Sequence, residues 1–271
     1  MSTVKLPQNA LMDALNARPK HVFVAGASRG IGEAVARLLG ESNYNLSLGA
    51  RSYNRLLGLA MDLGTDRARA VRLDLEDSAS IDSAVIEAES TFGPIDALVL
   101  AAGVNEETAL DDLSPDARAR FRRNLEVNVT GTWMLAQLAT QHMTHGGRVV
   151  FIASVLSRKG APGSYGYAAS KHAVLALVRG MALDLARRNI RVNALCPSWV
   201  DTKMAHDVLK RIADAEGKPV ATVMAEMLSA QPVRRMLKAS EVAHYVQFLL
   251  GPAGDGVTGQ AIDMSAGSTM V

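Results

Sequence analysis

The alternation of short apolar runs with helical patterns restricts this chain to few folds. The first apolar run is HVFVAG at 21–26, and it is followed at 31–42 by apolar residues spaced three and four apart. Similar pairs recur to the end of the chain. Such alternation gives right-handed βαβ units, and therefore a parallel sheet with helices on both faces. The sequence predicts an α/β fold of the doubly wound Rossmann type.

The predicted elements cover the chain from residue 21 onward. Residues 198–238 have no strand pattern and are interpreted as a helical lid over the substrate. No linker or repeat divides the chain, so we expect one domain over 21–271, preceded by a polar arm at 1–20. The predicted strands are 21–26, 45–50, 69–75, 96–103, 147–154, 190–197 and 259–264. The predicted helices outside the lid are 31–42, 55–63, 80–93, 115–143, 164–189 and 240–251, the last with Ser240 as its N-cap.

Composition and charge argue against several classes of function. The net charge of +2 gives no electrostatic case for nucleic acid or an anionic membrane. No apolar run approaches the roughly 18 residues of a membrane span, and the start of the chain has no apolar core like that of a signal peptide. Cys196 is the only cysteine, so no internal disulfide is possible, and the histidines show no metal-ligand spacing. We expect a cytoplasmic protein without a metal.

A glycine-rich turn follows the first predicted strand. AGASRGIG at 25–32 places Gly26, Gly30 and Gly32 between a strand and a helix. Glycine permits a tight turn and lets backbone N–H groups at the helix start approach a pyrophosphate. The spacing is G-x-x-x-G-x-G rather than G-x-G-x-x-G, and three glycines alone could form an ordinary turn. Their position between a strand and an amphipathic helix favours a dinucleotide site.

The stretch SYGYAASK at 164–171 contains two tyrosines and one lysine. On a helix, Tyr167 lies one turn before Lys171 and on the same face, whereas Tyr165 lies about 240° around the helix from that lysine. A phenol with a pKa of about 10 is a weak base near neutrality, and a neighbouring cation lowers that pKa. Tyr167 is therefore the candidate general acid and base.

Several motifs stand in a recognisable order. They are AGASRGIG at 25–32, AAG at 101–103, Asn128, Ser154, Tyr167 and Lys171. Together they resemble the short-chain dehydrogenase/reductase family over roughly residues 20–265. The resemblance implies a seven-stranded parallel sheet, a nicotinamide cofactor, and an enzyme that interconverts carbonyl and alcohol groups.

The resemblance also assigns roles to individual residues. Tyr167 would exchange the proton, Ser154 would orient the substrate oxygen, and Asn128 would hold a water relay to Lys171. Asp74 would contact the adenine and Thr202 the carboxamide, although Ser198 replaces a glycine usual in that segment. The implied cofactor-binding residues are Gly26, Ser28, Arg29, Gly30, Ile31, Gly32, Arg51, Asp74, Leu75, Ala102, Gly103, Tyr167, Lys171, Pro197, Val200 and Thr202.

The end of the second strand bears on the choice of cofactor. Ala50 stands where members that use NAD usually carry an aspartate, and Arg51 follows it. Arg29 faces the same region in similar proteins. Two guanidinium groups with no carboxylate at this strand end favour the 2′-phosphate of NADP(H), so NAD(H) is the less favoured cofactor.

The substrate side is less specific. The segment 203–238 is rich in methionine, which suits an adaptable apolar lid but also a plain helical core. It resembles the lid of hydroxybutyrate dehydrogenases, but Leu156 and Ser164 replace polar groups that bind the carboxylate there. We expect a small, mainly apolar ketone or secondary alcohol. A carboxylate stays open through four candidate cations, Arg158, Lys159, Arg234 and Arg235.

Other functions share these motifs. A 3-oxoacyl-(acyl carrier protein) reductase would use a basic patch such as Arg122, Arg123 and Lys159, and a 3-hydroxy-acid dehydrogenase is a further alternative. An enoyl reductase is disfavoured, because that branch separates its tyrosine and lysine by more than four residues. A catalytically idle NADP-binding scaffold or sensor is the non-enzyme alternative. By resemblance, we expect a homotetramer that pairs through helices 115–143 and 164–189.

Overall fold

Seven parallel strands form one sheet in the order β3-β2-β1-β4-β5-β6-β7 in the computed structural model, which describes residues 20–143 and 145–270. Residues 1–19 of the predicted arm lie outside the described residues, and Lys20 begins the first strand. The strands are β1 (Lys20–Ala25), β2 (Tyr44–Ala50), β3 (Ala68–Arg72), β4 (Ala97–Leu100), β5 (Arg148–Ile152), β6 (Arg191–Pro197) and β7 (Ala261–Met264).

Helices connect successive strands and cover both faces of the sheet. They are α1 (Gly30–Gly40), α2 (Tyr53–Leu63), α3 (Ser78–Phe92), α4 (Pro115–Leu125), α5 (Thr132–Gln141), α6 (Tyr165–Leu185), α7 (Lys203–Glu216), α8 (Val220–Ser229) and α9 (Ala239–Leu250). The predicted Rossmann-type sheet is confirmed. Within the described residues, no helix combines the length and the apolar character needed to cross a membrane.

Each face of the sheet has its own apolar core. Phe23 of β1 packs in the core shared with α3, α5 and α6, while its neighbours Val22 and Val24 pack in the core shared with α1, α2 and α9. Successive side chains of a strand point to opposite faces, so a strand buried on both sides reads as a continuous apolar run. This burial explains why the apolar pattern of the sequence predicted the strands.

The predicted helix 115–143 is interrupted. A π-helical segment, Glu126–Gly131, separates α4 from α5. Gly131 lies against the loop after β3, where a Cβ atom would be only 2.0 Å from the Leu75 carbonyl oxygen. π-Helical turns occur mostly as single insertions inside α-helices, so the sequence pattern predicts one continuous helix here. The predicted cap of the last helix is wrong, because α9 begins at Ala239 and the Lys238 N–H donates to Glu241.

Three predicted strands end earlier than expected. β3 ends at Arg72, β4 at Leu100 and β5 at Ile152. Candidate residues predicted to close those strands, among them Asp74 and Ser154, therefore lie in loops beyond the carboxyl edge of the sheet. The strand order reverses between β1 and β4. In open α/β sheets this reversal creates the crevice in which ligands bind.

Candidate active site

A cavity of about 740 Å³ opens at the carboxyl edge of the sheet. Its size lies in the range of small-molecule and cofactor sites. Every candidate site residue lines it except Gly32 and Asn128, which lie behind its wall. The candidates on the wall are Gly26, Ser28, Arg29, Gly30, Ile31, Arg51, Asp74, Leu75, Ala102, Gly103, Ser154, Tyr167, Lys171, Pro197, Val200 and Thr202.

The glycine loop crosses the reversal point in close contact with the loop after β4. Gly26 has φ of +87°, and a Cβ atom there would be 2.5 Å from the Ala102 nitrogen. A Cβ atom at Gly32 would be 2.3 Å from the Gly26 carbonyl oxygen. Gly32 therefore permits close packing of α1 beneath the loop, while the backbone of Gly26 forms part of the cavity wall.

The first turn of α1 offers donors to a bound anion. Arg29 is the N-cap residue, and its side chain makes no capping hydrogen bond. The leading N–H groups of a helix have no partners within the helix, so an uncapped N-terminus can bind a phosphate. Gly30 and Ile31 of this turn line the cavity beside Ser28. This arrangement fits the pyrophosphate of a dinucleotide.

A carboxylate stands on the cavity wall beside the end of β2, contrary to the expectation from β2 alone. Arg51 pairs with Glu76, with 3.2 Å between Nη1 and Oε2. Glu76 also accepts from Arg123, at 2.8 Å between Nε and Oε1. The hydrogen bond from Arg123, helped by the charge of Arg51, lowers the pKa of Glu76. The sequence interpretation missed this carboxylate because it lies 25 residues beyond Arg51, in the loop after β3.

A second, smaller cavity of about 390 Å³ adjoins the same arginine. Arg55 and Arg72 contribute two further guanidinium groups to its wall. The Arg72 guanidinium lies 5.7 Å from the centre of the Tyr53 ring, an arrangement that holds the cation in place. Three arginines therefore line this smaller cavity, and none of its described lining residues is a carboxylate.

Tyr167 and Lys171 lie on the same face of α6 and both reach the cavity wall. Their side chains are largely buried, with 9% and 6% of each residue exposed. The Lys171 Nζ atom lies 5.6 Å from the centre of the Tyr167 ring and donates to the Ile152 carbonyl oxygen at 2.8 Å. Tyr165 is 43% exposed and lies outside the cavity.

Burial shifts the pKa values of both groups away from their charged forms. It raises the pKa of Tyr167 to about 12, and the hydrogen bond with Ser154 only partly opposes this shift. It lowers the pKa of Lys171 to about 8. The sequence interpretation expected the lysine to lower the pKa of the phenol. In the protein by itself, desolvation has the larger effect, because both groups are removed from water.

We expect the stability of the protein without cofactor to rise with pH through the effect on Lys171. The pKa of this lysine falls from 10.5 to about 8 on folding, so between these values the unfolded chain holds a proton that the folded chain lacks. The free energy of unfolding therefore increases by at most about 1.4 kcal/mol per pH unit between these two pKa values. Burial of the charged lysine destabilises the folded protein most at pH values below this window.

Urea unfolding of the wild type and Lys171→Met at pH 8, 9 and 9.5 measures this contribution, because other titrating groups cancel in the comparison. The wild type should gain stability relative to the variant as the pH rises. Parallel pH dependences for the two proteins would show that Lys171 keeps an ordinary pKa.

Ser154 and Asn128 are positioned by backbone contacts. The Ser154 hydroxyl oxygen accepts from the Leu156 N–H at 3.1 Å. Asn128 lies in the π-helical segment, and its amide bonds both the N–H and the carbonyl of Val104 at 2.9 Å. A Cβ atom on Gly103 would be 3.0 Å from Asn128 Oδ1 and 3.8 Å from Lys171 Nζ. Asn128 thus lies close to the ammonium group but behind the cavity wall.

The loop after β6 forms the boundary between the sheet and the lid helices. Thr202 is the N-cap of α7, and its hydroxyl accepts from the Ala205 N–H at 3.4 Å. The backbone of Ser198 does not have a positive φ, so this position does not require the glycine usual in the family. Its hydroxyl hydrogen-bonds Gln231, a buried residue that lines the cavity and also donates to the Arg235 carbonyl oxygen.

The half of the cavity bordered by α7 and α8 has apolar walls with a few polar groups. Met204 and Met227 line it, whereas Met224 and Met236 pack around the small core between α7 and α8. Some of these methionines therefore line the cavity, and others pack in a helical core, as the two interpretations of the sequence expected. The apolar lining includes Val155, Leu156, Met204, Val208, Ile212 and Met227.

Sequence reasoning missed some polar residues on this wall. Asn105 Oδ1 and Ser268 Oγ have no hydrogen-bond partner among the described residues. Both follow a strand end, at β4 and β7, which is the position expected for ligand contacts in such a sheet. Residues 20–143 and 145–270 contain no group of three or more His, Cys, Asp or Glu that could hold a metal ion.

Comparison with known proteins identifies the family. A family model described as enoyl-(acyl carrier protein) reductase matches residues 26–269. A short-chain dehydrogenase/reductase from Serratia marcescens has a TM-score of 0.82 and 32% identity, covering 93% of this chain and 98% of its own. The chain belongs to the short-chain dehydrogenase/reductase family. This short-chain dehydrogenase/reductase is therefore an oxidoreductase acting on CH–OH groups.

Other relatives differ in their substrates. Oxidoreductase UcpA of Salmonella typhimurium is 34% identical over 256 residues, which are 93% of this chain and 95% of that protein. Cis-4-hydroxycyclohexanecarboxylate dehydrogenase of Sinomonas cyclohexanicum is 34% identical over 253 residues, covering 92% and 96%. A variant actinorhodin polyketide ketoreductase with NADPH has a TM-score of 0.86 and 30% identity, covering 92% and 97%.

Proposed function

We propose that this short-chain dehydrogenase/reductase transfers a hydride between NADP(H) and a small, mainly apolar ketone or secondary alcohol. One observation carries the proposal. The Tyr167 phenol, with Ser154 and Lys171 on the same wall, shares a cavity with an uncapped helix N-terminus and a glycine loop suited to a pyrophosphate. Proton exchange and dinucleotide binding therefore occur side by side.

The residues of the chain divide the remaining work. NADP(H), when bound, supplies or accepts the hydride. The backbone of the glycine loop and the first turn of α1 hold the pyrophosphate, and Thr202 and Val200 border the nicotinamide end. Ser154 orients the substrate oxygen while Tyr167 gives it a proton or removes one. Lys171 holds the ribose and stabilises the phenolate once charge develops.

The protonation state of the phenol supports the reductive direction. With a pKa of about 12, Tyr167 holds its proton at neutral pH and can donate it to a carbonyl oxygen. Oxidation of the alcohol needs the phenolate. The positive charge of oxidised nicotinamide would favour that form, because a nearby cation lowers a phenol pKa.

Arg51→Asp is expected to change cofactor preference from NADPH towards NADH. The variant removes a guanidinium group from the proposed 2′-phosphate site and places a carboxylate beside Glu76. Charge-assisted hydrogen bonds contribute about 1.5–3 kcal/mol each, so the ratio of kcat/KM for the two cofactors should fall about a hundredfold. The measurement follows NADPH and NADH oxidation with a panel of ketones and aldehydes, which also tests the proposed reaction.

The control is Arg187→Asp, which makes the same charge change at an exposed residue after α6, remote from the cavity wall. It should leave the ratio near the wild-type value. An unchanged ratio in Arg51→Asp would remove this arginine from the phosphate site. Tight NADPH binding without oxidation by any compound in the panel would instead favour the scaffold or sensor.

The reductases of acyl carrier substrates have weaker support. Their expected basic patch included Arg123, which is paired with Glu76 and Glu106. The four-residue separation of Tyr167 and Lys171 supports carbonyl reduction over enoyl reduction, although the matching family model carries the enoyl reductase description.

The homotetramer and the cytoplasmic location stay predictions. Phe121 on α4, Trp133 on α5 and Leu183 on α6 are exposed apolar side chains on the helices expected to pair. Light scattering of the intact protein would test the tetramer, because a monomer has a mass of 28.8 kDa.

A further inference from the structure

The sequence left four cations open as partners of a substrate carboxylate, and the structure removes three of them. Arg158 pairs with Asp263 and donates to the Ala261 carbonyl oxygen at 2.7 Å. Arg235 pairs with Glu241 at 2.7 Å and lies outside the cavity wall. Arg234 is exposed and also lies outside that wall. Lys159 remains.

Lys159 lies on the cavity wall, in the loop that runs from Ser154 to α6. Its Nζ atom is 3.5 Å from the Ser268 carbonyl oxygen, at the limit of a hydrogen bond. Lys159 forms no ion pair with a carboxylate among the described residues. The same serine has the Oγ atom that lacks a hydrogen-bond partner within residues 20–143 and 145–270.

The other cations on the wall have partners or lie in the cofactor half. Arg51 is paired with Glu76 and Lys203 with Asp207. Lys171 donates to a backbone carbonyl, and Arg29 lies at the start of α1 beside the glycine loop. Lys159 is therefore the cation on the described wall that is available to a substrate.

The charged groups and the apolar residues of the cavity wall together indicate the chemical class of the substrate. Glu216, the carboxylate on the lid side of the wall, is bonded to Lys218 at 2.8 Å, so it is partly neutralised. Between the reacting groups and Lys159 the wall is mainly apolar. Lys159 is exposed where it borders the cavity, and a cation at the edge of an apolar wall favours an anion on an apolar carbon frame, because it offers a charge-assisted hydrogen bond while the wall contacts the carbon frame.

We infer that the substrate is an oxo carboxylate or the corresponding hydroxy carboxylate, with its carboxylate at Lys159 and an apolar segment between that group and the reacting carbon. This inference rests on the proposed function, since it places the reacting carbonyl at Tyr167 and Ser154. Ser268, whose backbone carbonyl accepts from Lys159, lies on the same wall.

The test compares oxo acids of increasing chain length with their methyl esters in the NADPH oxidation assay. At one chain length, the wild type should prefer the acid about tenfold in kcat/KM. Lys159→Met should leave acid and ester with similar values, and Lys159→Arg should retain the preference. Lys210→Met, which removes an exposed charge on α7 away from the cavity wall, should behave as the wild type.

Calorimetric titration of the best acid and its ester into Tyr167→Phe with NADPH separates binding from turnover. The inference is supported if the acid binds about tenfold more tightly than the ester and if adding Lys159→Met removes this difference. This holds even if the enzyme turns over no compound of the series. In that case only the proposed reaction fails. Turnover of esters and acids at equal rates overturns the inference and leaves the proposed reaction intact. Preference for an acyl-carrier thioester over every free acid also overturns it.

Discussion

Tyr167→Phe is expected to lower kcat for ketone reduction about a thousandfold while NADPH still binds. The substitution removes one oxygen and keeps the buried ring. General acid catalysis by a positioned side chain contributes about 10²- to 10⁴-fold, and Tyr167 is the only tyrosine on the described cavity wall. Steady-state oxidation of NADPH gives kcat, and cofactor fluorescence gives the affinity.

Tyr165→Phe is the matched control. This tyrosine lies two residues earlier on the same helix, is 43% exposed and lies outside the cavity wall. It should keep at least half of the wild-type kcat, since it takes no part in the proposed chemistry. Normal turnover in Tyr167→Phe, or an equal loss in both variants, would contradict the assigned role of Tyr167.

Gly26→Ala is expected to destabilise the protein by about 3 to 5 kcal/mol. Two effects combine at this position. The backbone has φ of +87°, which strains any residue with a Cβ atom, and that atom would be 2.5 Å from the Ala102 nitrogen. Backbone strain costs about 1–3 kcal/mol and steric overpacking a similar amount. Since Ala102 belongs to the cavity wall, loss of NADPH binding should accompany loss of stability.

The matched control is Gly58→Ala in α2. An added Cβ atom at Gly58 meets nothing within 4 Å, and the residue is exposed on a helix. Alanine is the better helix former, so this variant should gain about 0.5–1 kcal/mol. Urea unfolding of both variants gives the two changes. A Gly26→Ala protein as stable as the wild type would mean that the two loops can move apart.

The predicted elements succeed where the sheet is buried on both faces. β1 and β6 are mainly apolar runs, and the helix that carries Tyr167 and Lys171 extends from Tyr165 to Leu185, close to the predicted 164–189. The predictions are less accurate where one residue alters a helical turn. The π-helical segment around Asn128 and the early ends of β3, β4 and β5 depend on contacts between distant loops, which leave little trace in local periodicity.

The electrostatics of the site show a similar limit. The spacing of Tyr167 and Lys171 was enough to place both groups on one helix face, but the direction of the phenol pKa shift depends on burial. Glu76 approaches Arg51 only because β2 and β3 are neighbours in the sheet. A statement about charge at one strand end was therefore incomplete until the adjacent strand was known.

The sequence by itself determined the doubly wound sheet, the glycine loop after β1 and the pairing of Tyr167 with Lys171. These features arise from residues close in the chain, where periodicity and steric limits act directly. Only the tertiary structure decided which cations reach the cavity, and it placed Asn128 and Gly32 behind the cavity wall. It also left Lys159 as the cation without a carboxylate partner on the described substrate wall. Those outcomes depend on contacts between segments far apart in sequence, since charge compensation and desolvation are properties of the assembled cavity.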